Sequence, residues 1–303
     1  MSAPWTGVFT ALTTKFKEDG SLDLAAMESH IERQILAGVD GIVVLGSLGE
    51  NGALRADEKQ EVVRMGASAC GGRVPFLSAV AETSTAAACE FVRAATRNGA
   101  EGFMLLPGMQ YAADARETEH HLRAVANASE RPIMLYNNPV AYSVDVTPEL
   151  FAKLAVEPKF IAIKESSDNV RRITDIRNLV GDRYAIFTGV DDLAFESLLM
   201  GAVGWVAGLV CAFPREAVVL HRLIVARRID EALVLYRWFT PLLHLDVSTK
   251  FVQNIKLAEA MEEGGNDRVR PPRLPLAGEE RAQVERTIRR ALETRPKLPE
   301  VGP

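Results

Sequence analysis

Pro132-Ile133-Met134-Leu135-Tyr136 and Phe160-Ile161-Ala162-Ile163-Lys164 are two short apolar runs, each ending in a residue with a polar head. Neither alternates polar with apolar. Continuous runs of this length belong to parallel strands buried on both faces. Between them Pro148 sits where a first helical turn accepts proline. The same unit recurs about eight times along the chain. Further strand candidates are Gly7–Leu12, Gly41–Leu45, Val74–Val80, Gly102–Leu106, Tyr184–Thr188 and Gly204–Ala207. Helical spacing fills the gaps at Leu24–Ala37, Ala56–Ala69, Ser84–Asn98 and Thr118–Ala128. Asp57 and Ser84 are candidate N-caps, and Pro214 suits another first turn. Gly38, Gly71 and Gly99 stand where a helix ends in a left-handed residue.

Repeated strand–helix units predict a parallel sheet. Eight of them predict a closed (β/α)8 TIM barrel, an α/β fold, over residues 1–226. An open doubly wound sheet is the alternative. It is disfavoured because the Gly46–Gly52 segment follows the second strand and lacks GxGxxG spacing. Residues 227–303 predict a C-terminal helical extension packed on the barrel, with helices at Asp230–His244, Ser248–Met261 and Glu279–Glu293. The connection Glu262–Ala277, containing Arg270-Pro271-Pro272-Arg273, reads as a loop lying across the barrel or its last helices. The tail from Arg295 to Pro303 reads as frayed.

The chain has 303 residues, 48% of them hydrophobic and 25% charged, enough for a large core without staples. Its formal net charge of −5 and lack of a basic stripe argue against a nucleic-acid partner. No apolar run reaches membrane-spanning length, and Met1–Thr14 lacks the plan of a secretory signal, so a soluble cytoplasmic protein is expected. Cys70, Cys89 and Cys211 read as small buried apolar residues rather than a disulfide or metal set. His30, His120, His121, His221 and His244 fall in helical patterns, away from the strand ends. That disfavours a His-based triad or zinc site.

In such a barrel, chemistry sits at the C-terminal ends of the strands. Lys164 ends the sixth strand. Pointing into a mouth of low dielectric, it would lose its proton more readily and could attack a carbonyl to form a Schiff base. The plain alternative is a lysine emerging into solvent. Tyr136 ends the fifth strand and is either a proton relay beside that lysine or a core tyrosine. Ser47 lies in a glycine-flanked turn able to hold a carboxylate, or simply in a turn that needs glycine. Glu50 could take part in chemistry, but reads first as an N-cap or loop hydrogen-bonding residue. Asp191 or Asp192, after the seventh strand, reads as the cap of the next helix, since no histidine or third carboxylate converges on a metal there.

Taken together these residues resemble the dihydrodipicolinate synthase/N-acetylneuraminate lyase family of Schiff-base barrels, over roughly Gly7–Leu292. The markers are Gly46-Ser47-Leu48-Gly49-Glu50 at the GxxGE loop, Tyr136-Asn137-Asn138-Pro139 at the YNxP motif, Ile163-Lys164-Glu165 at the lysine strand, and Arg270–Leu276 near the C-terminus. The resemblance implies Lys164 as Schiff-base residue and Tyr136 as proton relay. It implies Ser47, the Leu48 N–H and the Val206 region as holders of the substrate's α-carboxylate. It also implies no cofactor or metal, and a homotetramer built as a dimer of dimers.

Three places depart from the synthases of the family. Leu48 replaces a second hydroxyl residue. Ala141 stands where an arginine binds a second carboxylate. Met109 stands near the family's second tyrosine, with Tyr111 displaced. The substrate implied is a small 2-oxo acid or cyclic imine carboxylate. The loops look most like the branch from hydroxyproline catabolism that includes 1-pyrroline-4-hydroxy-2-carboxylate deaminase. The alternatives are a 2-keto-3-deoxy sugar acid aldolase or dehydratase, a divergent 4-hydroxy-tetrahydrodipicolinate synthase, and a non-catalytic small-molecule-binding barrel.

Overall fold

The computed structural model describes residues 5–108 and 110–302, so Met1–Pro4, Met109 and Pro303 lie outside the described residues. The strands are β1 (Gly7–Ala11), β2 (Gly41–Val44), β3 (Phe76–Val80), β4 (Gly102–Leu105), β5 (Ile133–Asn137), β6 (Phe160–Glu165), β7 (Ala185–Thr188) and β8 (Gly204–Ala207). They close into one parallel barrel in sequence order, with β8 paired back onto β1. Almost every strand residue is buried, as expected of runs that are apolar on both faces.

Two aromatic side chains fill the bottom of the barrel. Phe9 and Phe187 meet edge to face with centroids 5.1 Å apart. Their rings lie on Gly41 and Gly204, where an added Cβ would fall 2.6 Å from the Phe9 ring and 2.3 Å from that of Phe187. Only glycine fits there without displacing a ring.

Helices α1 (Leu24–Leu36), α2 (Ala56–Cys70), α3 (Thr85–Arg97), α4 (Ala115–Ala128), α5 (Pro139–Tyr142), α6 (Pro148–Leu154), α7 (Arg171–Val180), α8 (Ala194–Leu199) and α9 (Pro214–Val225) lie between or after the strands. Helices α10 (Ile229–Leu243), α11 (Phe251–Glu263) and α12 (Gly278–Glu293) complete the chain. Ser84 caps α3 through a bond from the Ala87 N–H, and Pro148 and Pro214 open α6 and α9. Gly71 takes the left-handed C-cap of α2, while Gly38 and Gly99 follow their helices with positive φ.

Four local expectations need correction. Asp57 is not an N-cap: α2 starts one residue earlier, Arg55 takes the cap position, and the Asp57 carboxylate binds the Arg55 guanidinium at 3.2 Å. Asp191 and Asp192 do not cap α8, whose N-cap is Leu193 without a side-chain bond. The segment after α12 is anchored rather than frayed. Arg295 binds Glu216 at 2.6 Å and Glu262 at 2.5 Å, and Leu298 and Val301 pack on the core. Finally, Cys70 and Cys211 are buried but Cys89 is only half-buried.

Among the described residues, no helix is long and apolar enough to cross a membrane. The predicted connection after α11 does lie across the barrel. Its Arg270 binds the Gly20 and Ala53 carbonyls and Glu58, all in or beside the loops above β1 and β2.

Candidate active site

β5 and β6 bring the two principal residues together through an irregularity in their pairing. Ile133 is opposite Phe160, but Met134 is opposite Ala162, so Ile161 is an extra residue on β6. Without that bulge Tyr136 would face Ile163. With it, Tyr136 faces Lys164 and Asn137 faces Glu165. Bulges beside active sites commonly re-aim a side chain in this way. Lys164 Nζ lies 4.4 Å above the centroid of the Tyr136 ring.

Lys164 points into the barrel mouth rather than out to solvent: it is 6% exposed. Burial lowers its pKa, while the neighbouring Tyr142 oxygen and the carboxyl groups of Asp246 and Asp191 pull it back up. Burial raises the pKa of Tyr136, against a hydrogen bond from Asn138. That bond runs from Asn138 Nδ2 to the phenol oxygen at 3.2 Å, so the Tyr136 O–H remains free to donate elsewhere. Beneath this pair, Asn137 Nδ2 donates to Glu165 at 3.1 Å and its Oδ1 accepts from the Val146 N–H at 2.8 Å, which fixes the end of β5.

Ser47 stands at the end of β2 in a tight turn closed by Glu50 N–H to Ser47 O at 3.1 Å. The turn is flanked by two non-glycine residues with positive φ, Leu45 (62°) and Glu50 (54°). Such strain persists where surrounding contacts over-determine it. Here both carboxylate oxygens of Glu50 are held, by Lys256 and by the Arg270 N–H. Glu50 is thus a buried loop ion-pair residue. The Leu48 side chain is buried in the core, which leaves only its backbone to face a ligand. Val206 is buried within β8 opposite Phe9, two residues before Gly208.

Three groups escaped sequence reasoning. Asp191 braces β8: it accepts from Trp205 Nε1 at 3.0 Å and from the Leu209 N–H at 2.8 Å. Burial pushes its pKa up to about 6 despite those bonds. The second is Asp246, from the turn after α10. A Cβ on Gly208 would fall 2.4 Å from its carboxylate, so Asp246 reaches into the mouth over the end of β8. The turn is held there by His244 Nδ1 bonded to Asp192 at 2.8 Å. Asp246 is the third carboxylate that the sequence did not reveal, since it lies 55 residues from Asp191. Burial and the charge of Asp191 raise its pKa well above the usual range. The third group is Tyr142, at the end of α5, bonded to Ser47.

Tyr111 does not enter the site of its own chain. It is 62% exposed and bonded to Glu117 at 3.0 Å. The position of Met109 lies outside the described residues.

Away from the mouth, His30, Cys211 and Glu259 place their ligand atoms within 4.8 Å of one another. This set is already occupied by protons and a cation. Lys15 sits on Glu259 at 2.5 Å and Thr13 donates to it at 2.8 Å. Burial raises the Cys211 thiol, and it donates to the Ala11 carbonyl. Burial would raise Glu259 as well, but Lys15 and His30 outweigh it and hold the carboxylate ionised.

The model of the dihydrodipicolinate synthetase family matches residues 4–291. The chain belongs to that family. A 4-hydroxy-tetrahydrodipicolinate synthase of Sorangium cellulosum is 35% identical over 74% of this chain and 75% of its own length. One from Methanothrix thermoacetophila is 30% identical over 92% of this chain and 94% of its own. Among solved structures, the 4-hydroxy-tetrahydrodipicolinate synthase of Methylacidiphilum fumariolicum SolV superposes with a TM-score of 0.91 at 29% identity, covering 95% of this chain and 96% of that one. YagE, a prophage protein of E. coli K12 solved in complex with pyruvate, gives 0.90 at 27% identity, covering 95% and 99%. Like the rest of the dihydrodipicolinate synthetase family, the protein is a class I Schiff-base lyase that works without an external cofactor.

Gly189, just past β7, is where this site tolerates least. A Cβ there would fall 2.2 Å from Lys164 Cε and 2.2 Å from Ser166 Oγ. Gly189→Ala must therefore move the lysine. Misplacement of a reacting group by about 1 Å can cost about 10²-fold, and we expect a loss of that size in borohydride trapping of a 2-oxo acid. Trapping at the wild-type rate would show that Lys164 does not react from this position.

Proposed function

We propose that Lys164 forms the Schiff base, that Tyr136 moves the protons, and that Ser47, the Leu48 N–H and the β8 end at Val206 hold the substrate's carboxylate. The single observation behind this reading is the pairing of Tyr136 with Lys164 across β5 and β6, nitrogen over ring, in a mouth that lowers the lysine's pKa. A buried amine in equilibrium with its neutral form is the nucleophile this chemistry needs.

Asp246 provides a test. Its negative field raises the pKa of Lys164. Asp246→Asn removes that field, so burial then lowers the lysine further. The acid limb of the rate profile, which follows the neutral amine, moves to lower pH. A limb that stays in place or moves to higher pH would contradict the assigned geometry.

The substrate we propose is a small cyclic imine carboxylate, 1-pyrroline-4-hydroxy-2-carboxylate. Two features favour it over a substrate with a second carboxylate. Ala141 offers only an aliphatic side chain where an arginine would be needed, and its N–H is used by Asn138 at 2.9 Å. Asp246 also brings an acid over the end of β8, with Asp191 behind it, and two carboxyl groups there disfavour a second anionic group on the substrate. Lys164 would add to C2 of the imine. A proton leaves C3 as the 4-hydroxyl departs as water. Opening of the ring and hydrolysis with two waters then release ammonia and 2-oxoglutarate semialdehyde and free the lysine.

The names of the relatives favour a second reading, synthesis of 4-hydroxy-tetrahydrodipicolinate. Incubating the protein with each substrate set decides between them. Ammonia and 2-oxoglutarate semialdehyde from the imine support the deaminase. 4-Hydroxy-tetrahydrodipicolinate with no ammonia supports the synthase. A third outcome, cleavage or dehydration of 2-keto-3-deoxy sugar acids alone, would replace both. A dimer-of-dimers tetramer and a cytoplasmic location remain part of this proposal.

A further inference from the structure

We propose that Tyr142 is the second tyrosine of the proton relay, supplied by the same chain, and that it links Tyr136 to Ser47. The inference rests on the Schiff-base reading of Lys164 and Tyr136.

Three contacts carry it. The Tyr142 hydroxyl and Ser47 Oγ are hydrogen-bonded to each other across 95 residues of sequence. The Tyr142 ring stands edge-on to the Tyr136 ring, with centroids 5.7 Å apart and planes at 88°. Asn138 positions both tyrosines at once. Its Nδ2 donates to the Tyr136 oxygen, and its Oδ1 caps the α5 turn that ends in Tyr142. Ser143 then leaves the turn in a left-handed conformation, φ 57°, which ends α5 with Tyr142 over the mouth.

The chemistry asks for such a group. Forming the iminium from a neutral amine and a 2-oxo acid takes one proton from the attacking amine and delivers two to the departing oxygen, which leaves as water, so a second proton must come from elsewhere. Tyr136 alone holds one proton. Its phenol is buried, so exchange with solvent needs a second hydroxyl in contact. Tyr142 is half-buried and reaches Ser47, which is itself partly exposed at the mouth, so a chain from Tyr136 through Tyr142 to Ser47 ends at solvent. Tyr111, in the segment that departs from the family's second-tyrosine pattern, is turned outward onto Glu117 and takes no part in this chain's site.

Exchange of the methyl protons of pyruvate in deuterated water, followed by NMR, reads imine formation and enamine return without any assumption about the second substrate. Tyr142→Phe keeps the ring and removes the hydroxyl. We expect the maximal exchange rate to fall about 10²-fold, the size of a lost general acid–base step, with little change in the pyruvate concentration giving half-maximal rate. Tyr111→Phe should exchange at the wild-type rate. Ser47→Ala breaks the same bond from the other side; it also loosens the carboxylate, so its half-saturating pyruvate concentration should rise, but the maximal rate of the double variant should be little below that of Tyr142→Phe alone, because both act in one chain of protons. If Tyr142→Phe is folded and exchanges within about threefold of wild type, the relay is wrong. The relay is equally wrong if Tyr111→Phe shows the large loss instead. A wild-type protein that neither exchanges pyruvate nor traps it with borohydride overturns the Schiff-base reading, and the relay falls with it.

Discussion

Lys164→Ala is expected to reduce turnover to background, a loss of about 10⁴-fold or more, the range seen when a covalent nucleophile is removed. The same variant should yield no borohydride-reduced adduct with pyruvate, and the adduct on the wild type should map to the peptide holding Ile163-Lys164-Glu165. The fold should survive. Truncating a buried aliphatic stem costs about 2–5 kcal/mol, but this stem ends in an amine that burial already disfavours in its charged form. Removing the amine relieves part of that cost. Lys164→Met separates chemistry from packing, because it keeps the volume and loses the nucleophile. Both variants should retain the far-ultraviolet circular dichroism of the parent. A folded Lys164→Met that turns over substrate would remove Lys164 from the mechanism. Loss of fold in both would mean the lysine is needed for structure.

The same residues show how far the sequence could be read. The eight strands were legible because each is a mostly apolar run without alternation, and the observed bounds differ from the expected ones by about two residues at most. Lys164 and Tyr136 were legible because each interrupts such a run at its C-terminal end. That they face each other was not. Direct pairing from Ile133 and Phe160 would put Tyr136 opposite Ile163, and only the bulge at Ile161 corrects it. A one-residue insertion in a strand leaves the hydrophobic pattern unchanged, so the pattern is silent about it. Asp246 and Tyr142 were hidden for different reasons. Asp246 belongs to the helical extension, where the strand-end rule gives no guidance. Tyr142 lies within a four-residue helix too short to show a period. Asp57 and Asp191 were misread because acids near a helix start look like caps, yet one binds a neighbouring arginine and the other a buried tryptophan and two backbone N–H groups. The end of the chain was misread because terminal residues commonly fray unless tied down, and here the Arg295 guanidinium finds two carboxylates.

Lys256→Met is the substitution expected to cost the most stability. Lys256 belongs to α11 and is 1% exposed. Its ammonium binds Glu50 and, at 2.7 Å, the Arg268 carbonyl, 4.5 Å above the Phe16 ring. Two effects oppose each other. Burial lowers the lysine's pKa to about 8 although Glu50 pulls it back up, so the lysine's own charge is not a net gain. The penalty of the substitution therefore falls on Glu50, whose buried carboxylate keeps only the Arg270 N–H. Breaking one side of a buried pair typically costs about 3–5 kcal/mol, and we expect the melting temperature to fall by about 10 °C. Adding Glu50→Leu to Lys256→Met should restore part of that loss, since no buried charge is then left alone. A pH series gives an independent check. The unfolded lysine keeps its proton up to its ordinary 10.5, while the folded one releases it near 8. Between those values the unfolded state binds more protons, so this group makes stability rise with pH. Lys256→Met should flatten that rise. The substitution also reaches the site, because Glu50 lies three residues beyond Ser47 in the strained turn that Lys256 and Arg270 hold. KM for the carboxylate substrate should increase more than kcat falls. A variant with unchanged melting temperature and KM would show that the C-terminal helices do not hold the β2 loop in place.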